Sequence, residues 1–250
     1  EHGLMYQTVA PRTGRVLDAT IHDNWGYDYN GFHTVWLLDG VERYRAATRK
    51  ALTSLRPHYW QHPWQGWGAD GIADAVEGAI NLFAREPDVE GVAGWLDANI
   101  ARMLRIQKPD GIVEGWHGDG NFARTALMWA LWKQQGVTLQ PWREDTAVGA
   151  VRHGDEIRIV VTAERDWDGT LVFDTPRHRR HMKLPLDYPR INQFPEWFTV
   201  EADGRYRVDG EAEPGAEQVA RTEVGATLAA GLTVSVHGGV ALRLTVAPTP

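Results

Sequence analysis

The chain contains no cysteine, which excludes disulfides and thiolate metal sites. No apolar run approaches the ~20 residues needed to span a bilayer. Positive charge is also short: 26 Lys and Arg stand against 33 Asp and Glu, for a formal net charge of −7. Nucleic acid and anionic membranes both reward clustered Lys and Arg, so neither is expected as the main partner. The GxSxG, P-loop, Rossmann and HExxH patterns are missing, and neither a metal nor a cofactor is expected. The sequence opens on Glu1 with neither an initiator Met nor a signal peptide. It is read as processed or trimmed, with an extracellular or periplasmic setting expected.

What is present is ordinary in bulk and unusual in one respect. At 250 residues, 43% hydrophobic and 24% charged, the chain can bury a substantial core as one large domain or two ordinary ones. Twelve residues are tryptophan. An indole packs in cores, and its flat face also stacks on ligand rings. Most of the twelve are expected in cores. Trp25, Trp64, Trp67 and Trp116 lie in Gly- or Pro-rich stretches beside polar residues, where a platform for sugar C–H faces is the alternative.

Periodicity divides the sequence near residue 140. Helices are predicted over about 30–39, 41–55, 70–85, 88–106 and 121–135, with Asp39-Gly40 and Pro57 as stops. Ile72, Val76 and Ile80 repeat at helical spacing, as do Val92, Leu96, Ile100 and Met103. The fifth helix is apolar almost all round, which predicts burial between neighbours. After Pro141 the pattern becomes short, β-branched or alternating at 157–162, 170–173, 197–200, 233–236 and 241–246, with Gly, Asp and Pro turns between. A further β-like stretch falls at 15–21. The expected architecture is α+β multidomain: helical hairpins over 1–140, then an antiparallel β-sandwich-like domain over 141–250. The stretch 174–195 lacks periodicity, and its aromatic content favours an ordered, functional loop.

Four constellations carry candidate chemistry. His22, Asn24, Tyr27, Tyr29, Asn30 and His33 crowd the start of the first helix, more than capping by an Asp or Asn requires. Asp70, Asp74, Glu77 and Asn81 fall within roughly 60° of one another on the third helix. A solvated outer face is the simplest account of that stripe, and lining of a cleft is the alternative. Glu114, Trp116, His117, Asp119, Asn121 and Arg124 gather at the N-terminus of the fifth helix among Gly115, Gly118 and Gly120, where free N–H groups favour an anion. Arg177, Arg179, Arg180 and Lys183, with His178, His181 and then Arg190, form the densest basic stretch of an acidic chain.

Helical hairpins followed by a β domain, with His, Asn, Tyr and Arg in the loops, resemble polysaccharide lyases of the (α/α)-toroid type, the alginate-lyase and heparinase II/III-like groups. Those toroids use about ten to twelve helices and this chain shows five, so the resemblance implies a missing N-terminal segment or a second chain. It also implies β-elimination beside a uronic acid in an acidic polysaccharide or oligosaccharide. In that scheme Tyr29 or His117 is the base, Tyr27 the acid, and His22 an orienting or neutralising group. Asn24, Asn30 and Arg124 meet the sugar carboxylate. Trp67, Asp70, Trp116, Asp119, Asn121, Arg177 and Arg190 complete the expected substrate contacts. The alternatives are a glycoside hydrolase on the same scaffold, drawing two carboxylates from Asp70, Asp74, Glu77, Glu114 and Asp119, and a non-catalytic carbohydrate-binding or assembly fragment.

Overall fold

A computed structural model describes residues 2–113, 120–190, 193–211 and 219–249. The architecture is α+β, and contacts divide the chain into two units. One comprises Glu1–Trp129 with Tyr188–Pro195, the other Ala130–Asp187 with Glu196–Pro250.

The first unit opens with a two-stranded antiparallel hairpin, β1 (Tyr6–Val9) and β2 (Val16–Ile21). Four helices follow: α1 (Trp25–Asp39), α2 (Glu42–Tyr59), α3 (Ala69–Phe83) and α4 (Val92–Leu104). A fifth, α5 (Asn121–Lys133), starts in this unit and ends in the other. The predicted stop at Gly40 is present: it takes the left-handed conformation (φ 67°), and its N–H donates to the Trp36 carbonyl. Pro57 does not end α2, which runs on to Tyr59. In the last turn a proline forfeits only one backbone bond, so packing of Leu52, Leu55 and Tyr59 carries the helix past it.

The central element is α3, in which every residue except Asp70 is buried. Ile72, Val76 and Ile80 join Leu52, Leu55, Leu96, Ile100 and Met103 in the core, as the 3.6-residue spacing requires. The polar stripe is buried too: Asp74 is 7% exposed, Glu77 0% and Asn81 1%. The expectation of a solvated outer face is therefore corrected. Helices pack on both sides of α3, so of the polar stripe only Asp70, in the first turn, keeps contact with water. The expectation for α5 is also corrected. Within it only Thr125 and Met128 are buried, and Leu127 stands 57% exposed.

The second unit is antiparallel β. Its strands are β3 (Thr138–Gln140), β4 (Thr146–His153), β5 (Glu156–Ala163), β6 (Trp167–Val172), β7 (Arg205–Glu211), β8 (Val219–Val224), β9 (Leu232–Val236) and β10 (Leu242–Pro248), with short helices α6 (Arg177–Arg180) and α7 (Gly225–Ala230). They form a five-stranded sheet, β4-β5-β10-β7-β8, and a three-stranded sheet, β3-β6-β9. Alternate residues of both sheets (Ile157, Ile159 and Val161 on β5; Leu232, Val234 and Val236 on β9) share one core with Trp167, Phe173 and Phe198. The predicted strand at 197–200 is corrected. Among the described residues it makes a single bridge, Thr199 to Asp174, while Trp197, Phe198 and Val200 are buried. Its hydrophobicity is that of a core-lining loop.

Candidate active site

Helix α1 begins at Trp25, five residues before the predicted start, so Tyr27, Tyr29 and Asn30 are helical residues. Trp25 is fully buried and forms part of the core, as does Trp64 at 1% exposure. Successive odd positions on a helix lie about 200° apart, which sends Tyr27 and Tyr29 to different neighbours. The Tyr27 hydroxyl lies 3.0 Å from Asp74 Oδ1 and 2.7 Å from Glu77 Oε2. The Tyr29 hydroxyl instead donates to the carbonyl of Gly3.

Asn121 and Arg124, in the first turn of α5, close the cluster from another side. Asn121 Nδ2 donates to Asp70 Oδ1 at 2.8 Å and to Asp74 Oδ1 at 2.7 Å. Arg124 forms an ion pair with Glu77 and donates to the Asn121 side-chain oxygen. Thr125 ties the same turn to the carbonyl of Ala73 at 3.2 Å. Two carboxylates that share one amide donor cannot be farther apart than two hydrogen bonds end to end. The Oδ1 atoms of Asp70 and Asp74 are thus no farther apart than the sum of these two bonds, an upper bound that admits the ~5–5.5 Å carboxyl separation of retaining glycosidases.

The environment sets these groups different tasks. Burial raises the Asp74 carboxyl to about 6; the Tyr27 bond opposes the rise, while Asp70, Asp23 and Glu77 add to it. Burial, then the bond to Glu77 and the neighbouring negative charges, push the Tyr27 hydroxyl well above its ordinary value. Tyr27 is therefore a proton donor to the carboxylates and does not become a tyrosinate. Asp74 Oδ1 accepts the bonds from Tyr27 and Asn121, which leaves Oδ2 to carry a transferable proton.

Asp23 is a residue that the sequence disguises as a helix cap. It is 7% exposed, its Oδ1 accepts from the Asn24 backbone (2.9 Å) and side chain (3.1 Å), and its Oδ2 is buried with no hydrogen bond among the described residues. Asn24 occupies the N-cap of α1 without a side-chain cap bond, and its N–H donates to His22 Nδ1 at 2.9 Å. Asn30 is 4% exposed, and its amide finds no partner among the described residues. His33 is buried with Nε2 3.4 Å from Glu86 Oε1. Trp67 is 43% exposed. Glu114, Trp116, His117 and Asp119 lie outside the described residues.

The basic stretch of the second unit has partners of its own. Arg177 pairs with Asp174 at 3.1 Å, and Arg179 pairs with Glu201. The His178 backbone N–H donates to Glu196 Oε1 at 2.7 Å, and its Nδ1 lies 2.9 Å from Oε2. His178, Asp187 and Glu196 bring ligand-type atoms within 4.8 Å of one another. Arg190, in the helical unit, has Nε and one terminal nitrogen buried without a hydrogen-bond partner among the described residues.

No family model matches the chain, and no curated protein does. Among solved structures, two of a Paenibacillus polymyxa xyloglucanase from glycoside hydrolase family 44, one of them with xyloglucan, are similar over 99% and 98% of this chain. Sequence identity is 9% in both cases and the TM-scores are 0.26 and 0.25. The chain spans 45% of the length of that xyloglucanase, and at such TM-scores the likeness assigns neither a fold family nor an activity.

Proposed function

We propose that the helical unit carries the acid–base centre of a carbohydrate-active enzyme that hydrolyses a glycosidic bond, with Asp74 as the acid and Asp70 as its partner carboxylate. The observation that carries this reading is the single amide of Asn121 bridging Asp70 and Asp74. A retaining glycosidase needs two carboxyl groups about 5–5.5 Å apart, one of them protonated, and the shared amide keeps this pair within that reach. Unequal environments supply the difference: Asp74 is nearly buried among other acids, whereas Asp70 is half-buried at the first turn of α3. Asp74 would protonate the leaving oxygen from Oδ2, and Asp70 would attack or stabilise the sugar cation. Glu77, fully buried against Arg124 and Tyr27, acts as the anchor that orients both.

The β-elimination reading has less support in the described residues. It needs a base at a sugar C5 proton and free donors for the sugar carboxylate. Tyr29 is bonded to Gly3, and burial raises its hydroxyl. Asn121 and Arg124 already hold Asp70, Asp74 and Glu77. Product chemistry distinguishes the readings. A panel of neutral and acidic oligosaccharides incubated with the protein should yield new reducing ends without ultraviolet absorbance from an unsaturated sugar, and Asp70→Asn and Asp74→Asn should each abolish the yield. Appearance of the unsaturated chromophore would replace hydrolysis with elimination, and activity retained in both variants would remove this centre.

A further inference from the structure

Just ahead of α3 the backbone passes through three consecutive left-handed residues, Gln65 (φ 42°), Gly66 (φ 65°) and Trp67 (φ 72°). Glycine adopts that region freely, but glutamine and tryptophan do so against their Cβ, and such strain persists where surrounding structure imposes it. The outcome is a large indole held 43% exposed, three residues before Asp70. Three residues of chain span at most about 11 Å between Cα atoms, so the ring is carried by the chain segment that leads directly into Asp70.

The indole is backed by a cation. Arg102 Cζ lies 4.9 Å from the Trp67 ring centroid. One guanidinium nitrogen, Nη1, is fastened behind it, to Asn99 Oδ1 at 3.1 Å and the Trp60 carbonyl at 3.4 Å. Asn99 is fully buried and is itself fixed by its bond to the Trp95 carbonyl at 2.9 Å. No carboxylate pairs with Arg102 among the described residues. Its charged neighbour is Arg105, one turn further on, a second cation. Two arginines one turn apart with no carboxylate partner among the described residues are a local inversion of charge in a chain of formal net charge −7. An apolar plane beside guanidinium donors left over after Nη1 is committed is the pairing that holds a sugar ring bearing an anion.

We propose that Trp67 and Arg102 form a subsite for a sugar carrying an anionic substituent, carboxylate or sulfate, in the helical unit that also holds the Asp70–Asp74 pair. This rests on the carbohydrate reading above and adds to it a substrate class. The sugar's C–H face packs on the indole face that Arg102 leaves open and its anion meets the remaining guanidinium N–H groups at the indole's edge, so Trp67 supplies affinity for any sugar and Arg102 discriminates charged from neutral ones.

The test uses the full chain with Asp74→Asn, to prevent turnover, and measures binding of an oligogalacturonate, a heparin oligosaccharide and a cello-oligosaccharide by calorimetry. The first two arms distinguish carboxylate from sulfate. A charge-assisted bond of about 1.5–3 kcal/mol corresponds to roughly a ten- to hundredfold loss of affinity. Arg102→Gln should lose that much on the anionic ligand alone, and Trp67→Ala should weaken binding whatever the ligand charge. Trp67→Phe, which keeps a ring face and guards against a folding artefact, should retain most of it. If the neutral ligand binds as tightly as the charged ones, or if Arg102→Gln leaves anionic binding unchanged, the subsite is wrong while the hydrolase reading stands. If the protein binds and cleaves no glycan, both are wrong.

Discussion

Gly26 and Gly78 meet backbone to backbone where α1 crosses α3. A Cβ added to Gly26 would lie 2.3 Å from the Gly78 Cα, and one added to Gly78 would lie 2.6 Å from the Gly26 Cα. The closeness has a chemical purpose. Tyr27 follows Gly26, and Asp74 and Glu77 precede Gly78 by four residues and one, so this crossing brings the phenol within reach of both acids.

Gly78→Ala should therefore be destabilising although alanine is the better helix former. The helix-propensity gain is at most about 1 kcal/mol, whereas overpacking two backbones costs about 1–3 kcal/mol and also lifts Tyr27 off its carboxylates. Thermal denaturation should show a midpoint lower by a few degrees, with glycan cleavage reduced further than stability alone accounts for. A variant as stable and active as the parent would mean that the helices separate without consequence.

The pH dependence of the site follows from Asp74. Its folded value of about 6 lies above the ordinary 3.8, so the folded protein binds this proton more tightly than the unfolded chain. That contribution to stability is complete below the ordinary value and is lost as pH rises through about 6. Cleavage should fall over the same range, because the acid form does the work. Asp74→Asn should remove roughly 10²–10⁴-fold of activity and flatten stability between those two pH values. An activity profile that keeps rising above pH 6 would assign the proton to another group.

The core of this site was only partly legible in the sequence. Ile72, Val76, Ile80 and the Val92–Met103 series announce two helices by spacing alone. The same wheel places Asp70, Asp74 and Glu77 on one side of α3, but an angle does not name the neighbour. The sign that was available is Gly78, which sits inside a helical pattern where it costs stability; Gly26 lies ahead of the predicted helix start at about 30, so its half of the crossing was not legible. On the β side, β4 is mostly small residues with one Arg, and β7 and β8 carry Arg, Asp and Glu, so their pairing register rather than their composition defines them. Trp197 and Phe198 show the reverse, an apolar stretch without a ladder.

Glu86 provides an electrostatic test away from the proposed chemistry. It is 1% exposed and is joined by Arg45 Nε at 2.7 Å, Arg49 Nη1 at 2.6 Å and His33 Nε2 at 3.4 Å. Burial pushes its carboxyl up, but the bonds from His33, Arg45 and Arg49 outweigh it and hold the group at about 2. Stability from this group is present above its ordinary 4.5 and is lost as pH falls through about 2. Glu86→Ala strands His33 and leaves Arg45 without its carboxylate, while Arg49 keeps its pair with Asp88 at 2.8 Å. Both arginines are about one-third exposed, so the loss should fall at or below the low end of the ~3–5 kcal/mol seen for broken buried pairs. Denaturant unfolding at neutral pH measures it, and a change within error would show that water replaces the network freely.

The last prediction separates two sets of arginines that sequence alone would treat alike. Arg177 and Arg179 belong to the densest basic stretch, yet each has a carboxylate partner: Arg177 grips Asp174, a group that burial pushes up, and Arg179 meets Glu201 at a half-exposed position. Arg102 has no such partner among the described residues. Arg177→Ala should thus cost about 1–3 kcal/mol of stability by leaving a largely buried carboxylate with the Thr175 N–H in place of its cation, and Arg179→Ala at most about 1 kcal/mol. Neither should change the salt dependence of binding to a polyuronate, whereas Arg102→Gln should flatten it. Chemical denaturation and binding at two salt concentrations give both readouts on the same preparations. Loss of polyuronate binding in the folded Arg177 variant, with Arg102→Gln unaffected, would move the anion contact from the helical unit to the β unit.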